Sequence, residues 1–319
     1  MLPRSSILDP RPFLGLKIDV DTLRGTREGV PRLLDILARH GLSATFLFSL
    51  GPDHTGRALR RVFRKGFIGK VRRTSVVRHY GVRTLLYGTL LPGPDIARRA
   101  ASVLHRVRGE GHETGIHCFD HVRWQDGVAT ADAEWTRREM QRACERYVEV
   151  FKEPPTTHGA AGWQMNVHAL RLTQSLGFEY CSDGRGRSPH LPVWRGELVR
   201  CPQFPTTLPT LDELIGTGDI TEENVAAHVL ERTHEPASAH VFTLHAELEG
   251  ARLAAVFEQL LSGWKAQGWR VGSLRALRES VEPMALPRCE NAMAPIAGRS
   301  GTVLMQGDEF LGDVDDARR

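Results

Sequence analysis

The sequence has no Cys-x-x-Cys pair, and its five cysteines, Cys118, Cys144, Cys181, Cys201 and Cys289, are scattered and odd in number. That excludes a thiolate zinc site, argues against a disulfide framework and fits a reducing compartment. No run of eighteen apolar residues occurs, so no helix is expected to span a bilayer. The first dozen residues lack the apolar segment of a secretory signal, so a cytoplasmic location is expected. No internal repeat is found. Acidic residues are missing from His54 through Pro94, the same stretch in which ten Lys and Arg residues fall between Arg57 and Arg83. The net charge of the 319-residue chain is only +4, so the remainder is net negative. Leu59, Val62, Phe63, Phe67 and Ile68 interleave with those charges, which reads as a basic amphipathic insertion over residues 54–94. The sequence is 41 % hydrophobic and 25 % charged, which excludes global disorder and suits one large domain, alone or with a small appendage.

Outside the insertion the pattern alternates. An apolar run over 14–20 reads as a buried strand, 27–40 as an amphipathic helix ended by Gly41, and 44–50 as a second strand. Helices follow over 96–108, 133–151, 167–176 and 252–267. Strands are expected over 113–119, 178–182, 198–204, 240–246 and 269–274. Six or more such units suit a (β/α) barrel, possibly a distorted one. Residues 286–319 are polar, show no clear period and read as a tail.

Three motifs sit at the ends of expected strands, where barrel chemistry gathers. In Ile18-Asp19-Val20-Asp21-Thr22, the two carboxylates share one face of the strand. Buried together and ionised, they require a cation, so one reading is a metal ligand beside a base; the other is helix capping. His117 and His121 are four apart, a spacing that suits one divalent ion or a pair of loop histidines. With Asp21 they would make a two-His, one-carboxylate site with open positions. His245, in Thr243-Leu244-His245-Ala246-Glu247, could protonate a leaving amine or be a structural histidine. Trp163, in a small-residue turn, reads as a pocket wall or as packing. Asp183 and Arg185 read as site groups or as a surface ion pair, and Glu247 as a sensor of an ammonium or a solvated acid.

In this order the pieces resemble the NodB-type polysaccharide deacetylases, carbohydrate esterase family 4, from about residue 14 to about residue 275. The long stretches IDVDTLRGTREGVPRLLDIL, FSLGPDHTGR, GIHCFDH, AAGWQ, SDGRG, TLPTLDELIG and TLHAELEG are similar to the branch that deformylates a lipid-linked amino-sugar. The resemblance implies a distorted (β/α) barrel of the NodB type over residues 13–280, carrying the basic insertion and followed by a polar tail over 286–319. It implies a base at Asp19, an acid at His245 and a divalent ion (zinc, cobalt, nickel or manganese) on Asp21, His117 and His121. A lipid-linked sugar is the implied substrate, met at the inner face of a bacterial inner membrane. The basic residues 57–83 would bind the anionic surface there, and no nucleic-acid partner is expected. Two alternatives are N-deacetylation of soluble or cell-wall glycans and a non-catalytic lipid-phosphate binding module. The third motif departs from the family, reading Ala160-Ala161-Gly162-Trp163 where an arginine usually orients the base. Arg185 and Arg24 are the candidates for that task.

Overall fold

The computed structural model describes residues 11–58, 83–234, 239–299 and 301–312. Most of the expected insertion, residues 59–82, lies outside them.

β1 (Phe13–Val20) is buried along its whole length, as a strand covered on both faces must be. It is the pivot of a parallel sheet. Its first half, Phe13 to Leu16, pairs with β9 (Arg270–Ser273), and its second half, Lys17 to Val20, with β2 (Thr45–Ser49). Its other edge pairs with β8 (Ala239–His245). From β2 the sheet continues through β3 (Glu113–Cys118), β4 (Thr157–His158) and β5 (Tyr180–Cys181). An irregular stretch, 201–208, bridges the two edges. Phe204 N donates to Cys181 O at 2.7 Å and Thr207 N to Val241 O at 3.1 Å. The result is the expected barrel, distorted where 201–208 replaces a regular strand. Only the short β7 (Glu197–Leu198) forms in the strand expected over 198–204.

Most of the helices expected from the apolar period form, with several shorter ones that it did not mark. α1 (Val30–His40) buries Val30, Leu33, Leu34, Ile36 and Leu37 and ends at Gly41 with φ of 62°, a left-handed cap. The expected 96–108 helix is broken at Ala100, leaving a turn and α2 (Ala101–Gly109). Asp120, Asp132 and Asn166 cap α3 (His121–Gly127), α4 (Ala133–Phe151) and α5 (Val167–Ser175) through their side chains. α6 (Val225–Arg232), α7 (Ala254–Ala266) and α8 (Leu274–Glu279) complete the shell. No described helix is long and apolar enough to cross a membrane.

The reading of 286–319 as a tail is corrected. β10 (Arg288–Ala294) and β11 (Val303–Glu309) pair antiparallel, and β10 joins β6 (Leu191–Trp194) and β7 in a second sheet. The period was hidden because two inward side chains are polar. Buried Asn291 faces His190 at 3.0 Å, and buried Gln306 accepts from the backbone of Arg187 and Ser188.

Candidate active site

The C-terminal ends of β1, β3 and β8 bring together the residues that the sequence separates. Asp19 and Asp21 leave β1 on one face, His117 leaves β3, His121 opens α3, and His245 ends β8. All five line one cavity of about 140 Å³, closed on one side by Trp163.

Local chemistry fixes each of them. His117 Nδ1 lies 2.6 Å from the Gly159 carbonyl, an arrangement in which it donates and Nε2 faces Asp21 Oδ1 at 3.2 Å. His121 Nε2 lies 3.5 Å from the other Asp21 oxygen. One donor atom from each of the three falls within 4.8 Å of the others. Asp21 Oδ1 is buried with no hydrogen-bond partner among the described residues. A carboxylate with one orphaned oxygen, whose two oxygens each face an imidazole nitrogen, one imidazole with its tautomer fixed by a backbone carbonyl, fits a divalent cation. Burial would raise the Asp21 carboxyl, but His121, His117 and His245 outweigh it and hold it well below the usual carboxylate range. At His245 burial would lower the imidazole, and Asp212, Asp21 and Asp19 push it up to about 9.

Glu247 is not a cleft group. Buried, it accepts from Asp21 N, Thr22 N and Thr22 Oγ1 through one oxygen, at 3.1, 2.8 and 2.8 Å. It therefore clamps the turn that carries Asp21, and the sensor reading is corrected. Gly25 is why it fits: a Cβ there would meet Glu247 Oε1 at 2.0 Å. Asp183 is also spoken for, accepting from Ala160 N and Gln203 Nε2 and pairing with His158 Nδ1 at 2.6 Å. It holds the loop before Trp163 and does not reach substrate space. The cluster of His158, Cys181 and Asp183 has metal-like spacing, but its carboxylate is saturated and burial raises the Cys181 thiol well above its ordinary value. Arg185 makes a two-pronged pair with Glu213 at 2.8 and 2.9 Å and stacks on Trp163, and Arg24 pairs with Glu28. A cation that the sequence reading passed over, Lys17, lies beside Asp19, with its Nζ 3.5 Å from Asp19 Oδ2. Asp212 and Arg299 were also missed and line the same cavity.

Residues 13–181 match the polysaccharide deacetylase family, a span that includes four of the five cavity groups. The chain belongs to that family. A relative from Shewanella sediminis (strain HAW-EB3) that carries the name 4-deoxy-4-formamido-L-arabinose-phosphoundecaprenol deformylase ArnD is 39 % identical over 78 % of this chain and 80 % of its own. Among solved structures, a polysaccharide-deacetylase-type protein from Mycobacterium smegmatis superposes with a TM-score of 0.61 at 20 % identity, covering 91 % of this chain and 97 % of that one. A CE4-family pseudoenzyme from Bacillus anthracis gives 0.50 at 12 % identity, over 85 % and 67 %. The deacetylase fold is thus shared with a chain named as inactive, so turnover has to be argued from the cavity and not from the fold.

Proposed function

We propose that the protein is a metal-dependent amide hydrolase. It removes the formyl group from 4-deoxy-4-formamido-L-arabinose-phosphoundecaprenol, leaving formate and a 4-amino sugar for lipid A modification and resistance to polymyxin and other cationic peptides. The observation that carries the reaction is the convergence of Asp19, Asp21, His117, His121 and His245 on one small cavity. The substrate rests on the relative from Shewanella.

Asp21, His117 and His121 would hold the divalent ion, which would supply an acidified water and a Lewis acid for the formyl oxygen. Asp19 accepts the proton that the attacking water gives up; its Oδ1 is buried and has no hydrogen-bond partner among the described residues. His245, held protonated by the surrounding carboxylates, gives a proton to the nitrogen as the C–N bond breaks. Trp163 walls the cavity and keeps water from the far side. The basic residues 57–83 bring the enzyme to an anionic cytoplasmic membrane face. Leu90 and Leu91, 77 % and 38 % exposed just beyond that stretch, add apolar contacts there.

The test is formate release from the formamido-arabinose phospholipid in detergent, with and without chelator, alongside Asp19→Asn and His117→Ala. Release that chelator abolishes, added metal restores and both variants lack is the expected result. No formate with any added divalent metal would sink the reading and turn attention to acetylated glycans.

A further inference from the structure

We propose that Lys17 is the positioning residue for Asp19 and takes the place of the arginine absent from the third motif. The inference rests on the reading of Asp19 as the base. Lys17 stands two residues before Asp19 on β1, so both side chains leave the strand on one face. It is fully buried, which a lysine tolerates only when paired. Its Nζ donates to Ser182 O at 2.9 Å, lies 3.5 Å from Asp19 Oδ2 and sits 5.6 Å from the centre of the Trp163 ring.

The slot is built for it. A Cβ on Gly159 would lie 2.3 Å from Leu47 Cδ1 and 3.1 Å from Lys17 Cε, so a side chain there would clash with Leu47 and crowd the lysine stem. The same Gly159 carbonyl takes the contact with His117 Nδ1, which lies 3.7 Å from Asp19. The two oxygens of Asp19 are thereby made unequal. Oδ2 is drawn to the ammonium, while Oδ1, buried and without a hydrogen-bond partner among the described residues, stays free to accept from a water in the cavity. One small loop, 159–163, thus sets the tautomer of a metal ligand and the place of the ammonium that aims the base.

Lys17→Met and Lys17→Arg test this in the full-length protein, with kcat, KM, metal content and crystal structures measured for each. Lys17→Met is expected to lower kcat on the order of 100-fold, the scale for a group displaced by about 1 Å. KM stays within about 2-fold, metal content is unchanged, and Asp19 leaves its wild-type position. Lys17→Arg, which keeps a cation in the slot on a bulkier head of longer reach, is expected to recover at least about 10-fold of that loss. Wild-type kcat in Lys17→Met, or an unmoved Asp19 carboxylate in its crystals, would overturn the proposal. Should Lys17→Met not fold, Lys17→Arg decides: Asp19 following the guanidinium supports the proposal, and Asp19 staying put while the cation moves overturns it. If the wild-type enzyme releases no formate, the deformylase reading fails, and the crystal comparison alone still decides whether Lys17 places Asp19.

Discussion

Glu247 shows how a single side chain can govern a site from outside it. Its one oxygen gathers three donors from the Asp21–Thr22 turn. Glu247→Ala should therefore weaken metal binding 10- to 100-fold, the usual cost of losing a support behind a ligand. Competition of Zn²⁺ against a chromogenic chelator would measure this, and unchanged affinity would mean that the turn holds itself. His190 offers a test remote from the metal. Burial lowers its imidazole to about 4, against 6.5 for the free side chain. A group lowered on folding is carried neutral by the native state, so between pH 6.5 and 4 the unfolded chain binds the extra proton. Stability contributed by neutral His190 is present above pH 6.5 and falls by about 3 kcal/mol as pH drops to 4. Denaturation midpoints across that window should fall less steeply in His190→Gln than in the wild type. Asp19, His117 and His245 were legible in the sequence at the ends of expected strands, and Asp21 and His121 through their spacing from the first two, two and four residues on. Lys17 was equally available, as a lysine in a strand otherwise buried, two before an aspartate. Arg299 carried no such signal, because it lies in the segment read as a tail.

Among the elements, the junction between β1 and α1 is the most constrained. The chain passes through a π-helical turn, Gly25–Gly29, before α1 begins. At Gly29 an added Cβ would lie 2.0 Å from the Ala246 carbonyl oxygen, a backbone atom that cannot swing aside. Gly29→Ala should destabilise the protein by about 1–3 kcal/mol, the range for overpacking a tight contact. Urea unfolding would show it, and an unchanged midpoint would mean that the turn and the β8 loop can separate without cost. The long helices were readable almost to the residue, α4 in particular, because an apolar stripe at helical spacing and an acidic or amide cap mark both period and start. β5 falls inside the run read as a strand over 178–182, but β4 was not read, because a two-residue strand carries no period of its own and is recognised only by its partners in the sheet.

At the scale of the whole molecule, charge is divided between a basic stretch and a net acidic remainder. If residues 57–83 dock on anionic lipid, replacing Arg60, Arg61, Arg64 and Lys65 with Gln should weaken binding to phosphatidylglycerol vesicles by about 1 kcal/mol per charge. Neutral vesicles should bind neither protein, and added salt should release the wild type. Equal sedimentation of both proteins with anionic vesicles would place the contact elsewhere. The sequence by itself pointed to a barrel through local periodicity, and offered the five groups at its mouth through the rule that parallel strands aim their C-terminal ends at the chemistry together with the family resemblance, which chose among the readings each motif left open. The tertiary structure alone decided the rest: that Lys17 lies beside Asp19, that Asp183 and Glu247 brace loops, and that β10 and β11 join a second sheet and bring Arg299 to the cavity. Each of these is a contact between segments far apart in the chain, made by polar side chains whose partners no local pattern can name.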